Sequence, residues 1–180
     1  MDDLIAFISK FQGIFGTLLG SIFGVITTLI TTQLIKNLGK IQFYFYDYEI
    51  KYHRYNQEEY DMEVIEDAAK AEYGNFKMRM QLYNNSEIMK ILRDVSIEFE
   101  LESKVICLNL HNSELTERTQ FHTSTKDITI INIPPKQIIE FNVDGDIDRE
   151  IINEFVGVKK AYFTGINHRN KKIKKLIKEF

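Results

Sequence analysis

The acids Asp144, Asp146, Asp148 and Glu150 fall at every second position, as they do where a calcium loop opens. Such a loop needs a glycine in its middle and a bidentate glutamate at its end, and Arg149 and Phe155 stand at those places. The acids are therefore read as a turn, with Asp146 or Asp148 capping a short helix through Phe155. Cys107 and His111, with His122, could meet at the end of a strand and ligate a metal, but no second close ligand pair accompanies them. His53 and His168 stand apart. Neither a G-x-S-x-G elbow nor a glycine-rich phosphate loop is present. The expectation is a chain without catalytic, cofactor-binding or metal residues, and not an enzyme.

Positive charge at the C-terminal end is a denser signal. Val156 to Phe180 carries eight Lys or Arg against Glu179 alone, while Glu58 to Glu72 carries seven acids against Lys70 alone. Within 171–180, Ile173, Leu176, Ile177 and Phe180 recur at i, i+3, i+4 and i+7, an amphipathic helical spacing. Lys171, Lys172, Lys174, Lys175 and Lys178 fill the other side and are the candidate contacts to anionic lipid. Each lysine near a charged surface is worth about 1 kcal/mol. The competing reading is a last strand or solvated tail paired with the acidic loop. Nucleic acid is disfavoured as a partner, because no aromatic residues are interleaved there to stack bases.

These charges need an element to position them, and Phe11 to Ile35 is the obvious one. Its 25 residues hold no charge. As a helix it would reach roughly 37 Å, enough to cross a hydrocarbon core of about 30 Å. A core helix would show a charged face. A signal peptide would open on basic residues, where this chain has Asp2 and Asp3. The expectation is a retained transmembrane helix over about 11–35 in an anchor of residues 1–38. Lys10 alone precedes the run, whereas Lys36, Lys40, Lys51 and Arg54 follow it, so the N-terminus is expected outside and the rest in the cytoplasm of a single-pass membrane protein. A single cysteine, Cys107, fits a reducing compartment. Gly16, Gly20 and Gly24, continued by Thr28 and Thr32, line one face with small residues, the pattern that lets transmembrane helices pack closely. A protein partner or self-association through this helix is expected.

Beyond Gly39, suited to a left-handed helix exit, the pattern turns to strands. In Ile41 to Tyr55, Ile41, Phe43 and Phe45 alternate with Tyr44, Tyr46, Tyr48, Ile50 and Tyr52. Residues 56–75 hold the acidic run and read as an exposed loop or a short helix around Val64 to Ala71. Phe76, Met78, Met80 and Leu82 mark one strand, and Val95, Ile97, Phe99 and Leu101 another. Further strands cover Lys104–Leu110, Asp127–Ile133, Gln137–Val143 and Val158–Ile166, and Asp144-Gly145-Asp146 turns the chain. About seven closely spaced strands with one late helix predict a mainly β chain, an antiparallel immunoglobulin-like sandwich over 41–170. An antiparallel barrel is the alternative, and 171–180 is set apart as a basic segment.

Leu82–Ser86 (LYNNS), Asp94–Phe99 (DVSIEF) and Ile131–Val143 (INIPPKQIIEFNV) resemble small, mostly uncharacterised membrane-anchored β-sandwich proteins of bacteria and their prophages. The resemblance implies architecture and no active-site residues. Two functions are expected in turn. One is a cytoplasmic sandwich held at the membrane as an interaction or sensing module. The other is a membrane-perturbing effector of a phage-defence or prophage system, clustering through the glycine-faced helix.

Overall fold

Asp2–Asn37 forms one helix of 36 residues, α1, because nothing in the run breaks the 3.6-residue period and no glycine or proline cap interrupts it. The computed structural model describes residues 2–58, 60–118 and 123–180, so His122 lies outside the described residues. From Ile5 to Lys36 the helix is long and apolar enough to cross a membrane, and no part of that stretch is buried against the rest of the chain.

The remainder is two antiparallel sheets packed face to face. Its strands are β1 (Ile41–Asn56), β2 (Asp61–Ile65), β3 (Tyr73–Asn84), β4 (Lys90–Glu100), β5 (Val105–Asn109), β6 (His111–Asn112), β7 (Glu117–Arg118) and β8 (Thr123–Ser124). Then follow β9 (Ile130–Ile133), β10 (Ile138–Ile147), the one-turn helix α2 (Arg149–Ile152), β11 (Lys160–Asn167) and β12 (Lys172–Glu179). One sheet runs β2-β1-β3-β10-β6 and the other β12-β11-β4-β5, with β9 also paired to β4. The inward residues of β3 and β4 meet between the sheets, as their alternation requires. Phe76 packs edge-on against Phe99 at 5.8 Å, Phe99 against Phe155 at 4.8 Å, and Phe163 against Phe43 at 5.4 Å.

Several local expectations give way to backbone geometry. β1 contains a bulge between Tyr46 and Glu49, with Asp47 at φ 53°. One extra residue reverses the alternation, so Tyr48, Ile50 and Tyr52 join Phe43 and Phe45 against the core while Tyr44 and Tyr46 face solvent. The acidic stretch supplies β2 and a 3₁₀ turn at Ala68–Lys70 in place of a loop or a short helix. Asp144-Gly145-Asp146 does not turn the chain: β10 runs through it to Ile147 and pairs with β3 along its whole length. Gly145 lies under the Phe76 ring, which sits 2.4 Å from where a Cβ would be. Asp148 does stand at the N-cap of α2, yet it caps through its carbonyl, with no side-chain hydrogen bond.

The end of the sandwich nearest α1 is closed by a buried amide. Asn84 is fully buried, and its Nδ2 donates to the carbonyls of Ile88, Ile133 and Pro134 at 2.8–3.0 Å. Its Oδ1 accepts from the backbone N–H and hydroxyl of Ser86. This clasp accounts for both the LYNNS and the INIPP stretches. It also carries the joint to α1: Gly39 has φ +111°, and a Cβ on it would stand 2.5 Å from the Asn85 carbonyl oxygen.

Candidate functional site

α1 places Gly16, Gly20, Gly24 and Thr28 in a row, since steps of four return to nearly the same face. Nothing lies within 4 Å of where a Cβ would stand on any of the three glycines. The helix satisfies its own hydroxyls. Thr17 donates to the Gly13 carbonyl, Ser21 to that of Thr17 and Thr28 to that of Gly24, each at 2.8 Å. A hydroxyl bonded this way costs less in an apolar medium than a free one. The row is thus a shallow, self-satisfied groove open along its length.

The five C-terminal lysines do not form the helical face that their spacing suggests. Lys172–Glu179 is an edge strand, antiparallel to β11 with a bulge opposite Ala161 and Tyr162. Ile173 and Ile177 pack toward the core, which satisfies the apolar residues with a strand period. The partners of the lysines are also not the acidic loop. Lys172 is hydrogen-bonded to Glu98, and Lys174 reaches Glu98 at 3.2 Å and Glu100 at 3.6 Å, with its ammonium 4.1 Å over the Tyr162 ring. Burial would raise the Glu98 carboxyl, but its hydrogen bonds and charge attraction to Lys172 and Lys174 outweigh this and hold it below the ordinary range. Lys175 lies over Phe43 and Lys178 over Tyr48 and Phe180. Lys171 remains in the β11–β12 turn, where its backbone N–H bonds the Asn167 side chain.

A second set of cations gathers where α1 meets the sandwich. There a cleft of about 650 Å³ is lined by Leu34, Leu38 and Phe43 together with Lys90, His168 and Arg169. Lys90 opens β4 and is only 4% exposed. Its ammonium makes no hydrogen bond or ion pair with any described residue, and burial and the Arg169 charge hold its pKa below the usual lysine value. The His168 imidazole is pushed down by burial and by the same two neighbours, Lys90 and Arg169. Lys172, Lys174 and Lys175 line the same cleft, so three members of the C-terminal run reach it.

The acids and the other described histidines lie elsewhere. Asp144 and Asp146, with His53, Tyr73 and Asn75, border a smaller cleft of about 330 Å³ across β10, β3 and β1. Tyr73 donates its hydroxyl to Asp146. His111 Nδ1 is 2.8 Å from the Asp127 carboxylate, and Cys107 is exposed on β5. Among the described residues no three His, Cys, Asp or Glu side chains are grouped so as to hold a metal.

The comparison with protein families returns an Ig-like domain, in keeping with the two-sheet antiparallel sandwich. The model of the YopI Ig-like domain matches residues 39–178. The chain belongs to the YopI Ig-like domain family. Its curated relative is the SPbeta prophage-derived uncharacterized protein YopI of Bacillus subtilis (strain 168), 29% identical over 182 residues and covering 100% of both chains. Two solved structures are more distant. A structural-genomics target has a TM-score of 0.32 and 12% identity, over 81% of this chain and 85% of its own. A crystal structure described as an ApaA protein of Bordetella pertussis has a TM-score of 0.30 and 10% identity, over 79% and 91%. Both values are too low to carry an argument.

The YopI Ig-like match begins at Gly39, so the positive-φ joint lies inside it and α1 precedes it. Ig-like domains serve widely as protein-interaction modules, and an Ig-like domain joined to an apolar helix is what this chain contains. Sequence reasoning missed Lys90 and Arg169. Lys90 falls before the alternation that begins at Val95, and Arg169 within a turn over 167–170. The one available signal was the clustering of turn motifs around them: LYNNS before Lys90, and NHRN around Arg169.

Proposed function

We propose that the chain is a single-pass membrane protein that holds its Ig-like domain against the cytoplasmic surface, where the domain acts as an interaction module. The observation that carries this reading is α1. It is an exposed apolar helix with an excess of Lys and Arg behind it, followed after three residues by β1. Tethering raises the effective concentration of a module near other membrane proteins, so weak contacts suffice. The exposed edge strand β2, hydrogen-bonded on one side only to β1, suits strand addition by a partner. Five lysines around β12 face the same aqueous compartment, with Lys171, Lys172, Lys174 and Lys175 nearest the membrane and Lys178 farthest from it. The test is protease protection of the full chain in membrane vesicles of known sidedness. The Ig-like domain should resist protease in intact protoplasts and be cut in inside-out vesicles. Cleavage in intact protoplasts would reverse the topology, and recovery in the soluble fraction would end the reading.

The open glycine row favours a second reading, in which helices cluster and perturb the bilayer as an effector of a prophage or phage-defence system. Gly20→Leu fills the groove and should abolish cross-linked oligomers and any toxicity on overexpression. If both persist, clustering does not run through this face.

A further inference from the structure

The cations of β12 and those beside α1 differ in one respect that points to a ligand. Lys172 and Lys174 are answered by Glu98 and Glu100. Lys90, His168 and Arg169 are answered by no carboxylate among the described residues, although Glu87 lies nearby in sequence and is held by Lys136 at 3.2 Å. Arg93, on the same strand as Lys90, is turned to the Asn170 side chain at 2.6 Å. Lys90 is a largely buried side chain whose ammonium has cations and no described carboxylate beside it, and an anion would offset that unfavourable setting.

We propose that this cleft binds a phosphate-class anion, with Lys90 as its anchor and Arg169 and His168 closing around it. A guanidinium with an ammonium and an imidazole is a donor set suited to phosphate oxygens, the guanidinium offering a planar fork and the lysine a point charge. The volume of about 650 Å³ is ample for a phosphate and the group that carries it. The lining also has apolar members, Leu34 of α1, Leu38 just beyond it and Phe43 of β1. An amphiphile would therefore lie with its phosphate on the sandwich and its apolar part along α1. The anion has two possible sources, a phospholipid headgroup or a small soluble phosphate. The lipid source rests on α1 spanning the membrane, because the cleft then sits at the depth of the headgroups. The soluble source does not.

The full chain in nanodiscs of phosphatidylcholine, with or without phosphatidylglycerol, provides the test, read by the imidazole resonances of His168. Glycerol 3-phosphate titrated into the phosphatidylcholine discs, and into the chain in neutral detergent, supplies the soluble arm. A saturable shift with phosphatidylglycerol alone assigns the headgroup, and a saturable shift with glycerol 3-phosphate assigns a soluble ligand. Lys90→Met and Arg169→Gln should each weaken the responding arm about tenfold, whereas Lys178→Gln, at the far end of β12, should leave it within about twofold. Arg169 is exposed and its variant should fold, so the comparison survives even if Lys90→Met does not. The proposal is overturned if neither arm moves His168, or if Lys178→Gln weakens binding as much as Arg169→Gln. Failure of α1 to enter the discs would sink the membrane reading instead, and the detergent arm would still decide the site.

Discussion

β12 and the cleft beside α1 are both rich in positive charge, and they differ in whether the charge is answered. Along β12, carboxylates on neighbouring strands take up Lys172 and Lys174, and aromatic rings lie beneath Lys174, Lys175 and Lys178. Lysine on an edge strand also discourages a second chain from pairing there. Beside α1, a lone lysine at the start of an apolar strand is buried with Arg169 and His168 near it and no acid. The lesson is that a run of lysines in a sequence need not be where free positive charge ends up. The unanswered charge comes from residues far apart in the chain, and the fold alone brings them together.

The most disruptive way to break this contrast is to remove what holds the cleft. Asn84→Ala takes the amide donor from the carbonyls of Ile133 and Pro134, while that of Ile88 keeps the Ser86 hydroxyl. It should cost about 3 kcal/mol and lower Tm by roughly 10 °C, read by thermal unfolding of the full chain. Hydrogen exchange along β11 and β12 should change less than around 84–90. A uniform loss would mean that the two regions are not separately supported.

A smaller effect is expected from Gly39→Ala, which puts a side chain at φ +111° against the Asn85 carbonyl. About 2 kcal/mol of strain should appear as a drop in Tm of several degrees, with the Lys172–Glu98 pair untouched. An unchanged Tm would show that the joint has slack the structure does not suggest.

Glu98→Gln is the mildest and the sharpest test, because it makes β12 resemble the cleft. Stability should fall by about 1 kcal/mol, discounted for the exposure of Lys172. Freed from its acid, β12 should also bind anionic vesicles more tightly than the parent chain. The pH dependence follows from the lowered Glu98 carboxyl. Its contribution is fully present above the ordinary glutamate value of 4.5 and is lost as pH falls through the lowered folded-state value. The Tm difference between the parent and Glu98→Gln should therefore vanish on acidification below that range. A difference that persists there would assign the effect to something other than the ion pairs.

Much of this architecture was legible in the residues. α1 could be read from a charge-free run, and β3 and β4 from clean alternation, because burial on one face of a strand imposes that period directly. The residues of β12 leave helix and last strand both open, because Ile173, Leu176, Ile177 and Phe180 satisfy a helical period and, once a bulge is allowed, a strand period too. The reversed tyrosines of β1 escaped for the same reason, since a bulge at Asp47 leaves no mark beyond an acid that tolerates positive φ. The acids of β10 looked like turn chemistry, although Gly145 sits in mid-strand to admit the Phe76 ring. The cleft itself was not legible, because Lys90 is joined to Arg169 only by tertiary packing.

One consequence of Gly39 reaches beyond stability. α1 ends at Asn37 and β1 begins at Ile41, with Gly39, the middle of the three residues between them, wedged against Asn85. So short a connection spans about 10 Å and gives the sandwich neither reach nor swivel. The two parts behave as a shaft and its key: turning the helix about its long axis swings the sheets through the same angle. If two chains met along their glycine rows, the rotational setting chosen within the bilayer would fix the heading of both β2 edges outside it, and geometry alone would carry the signal.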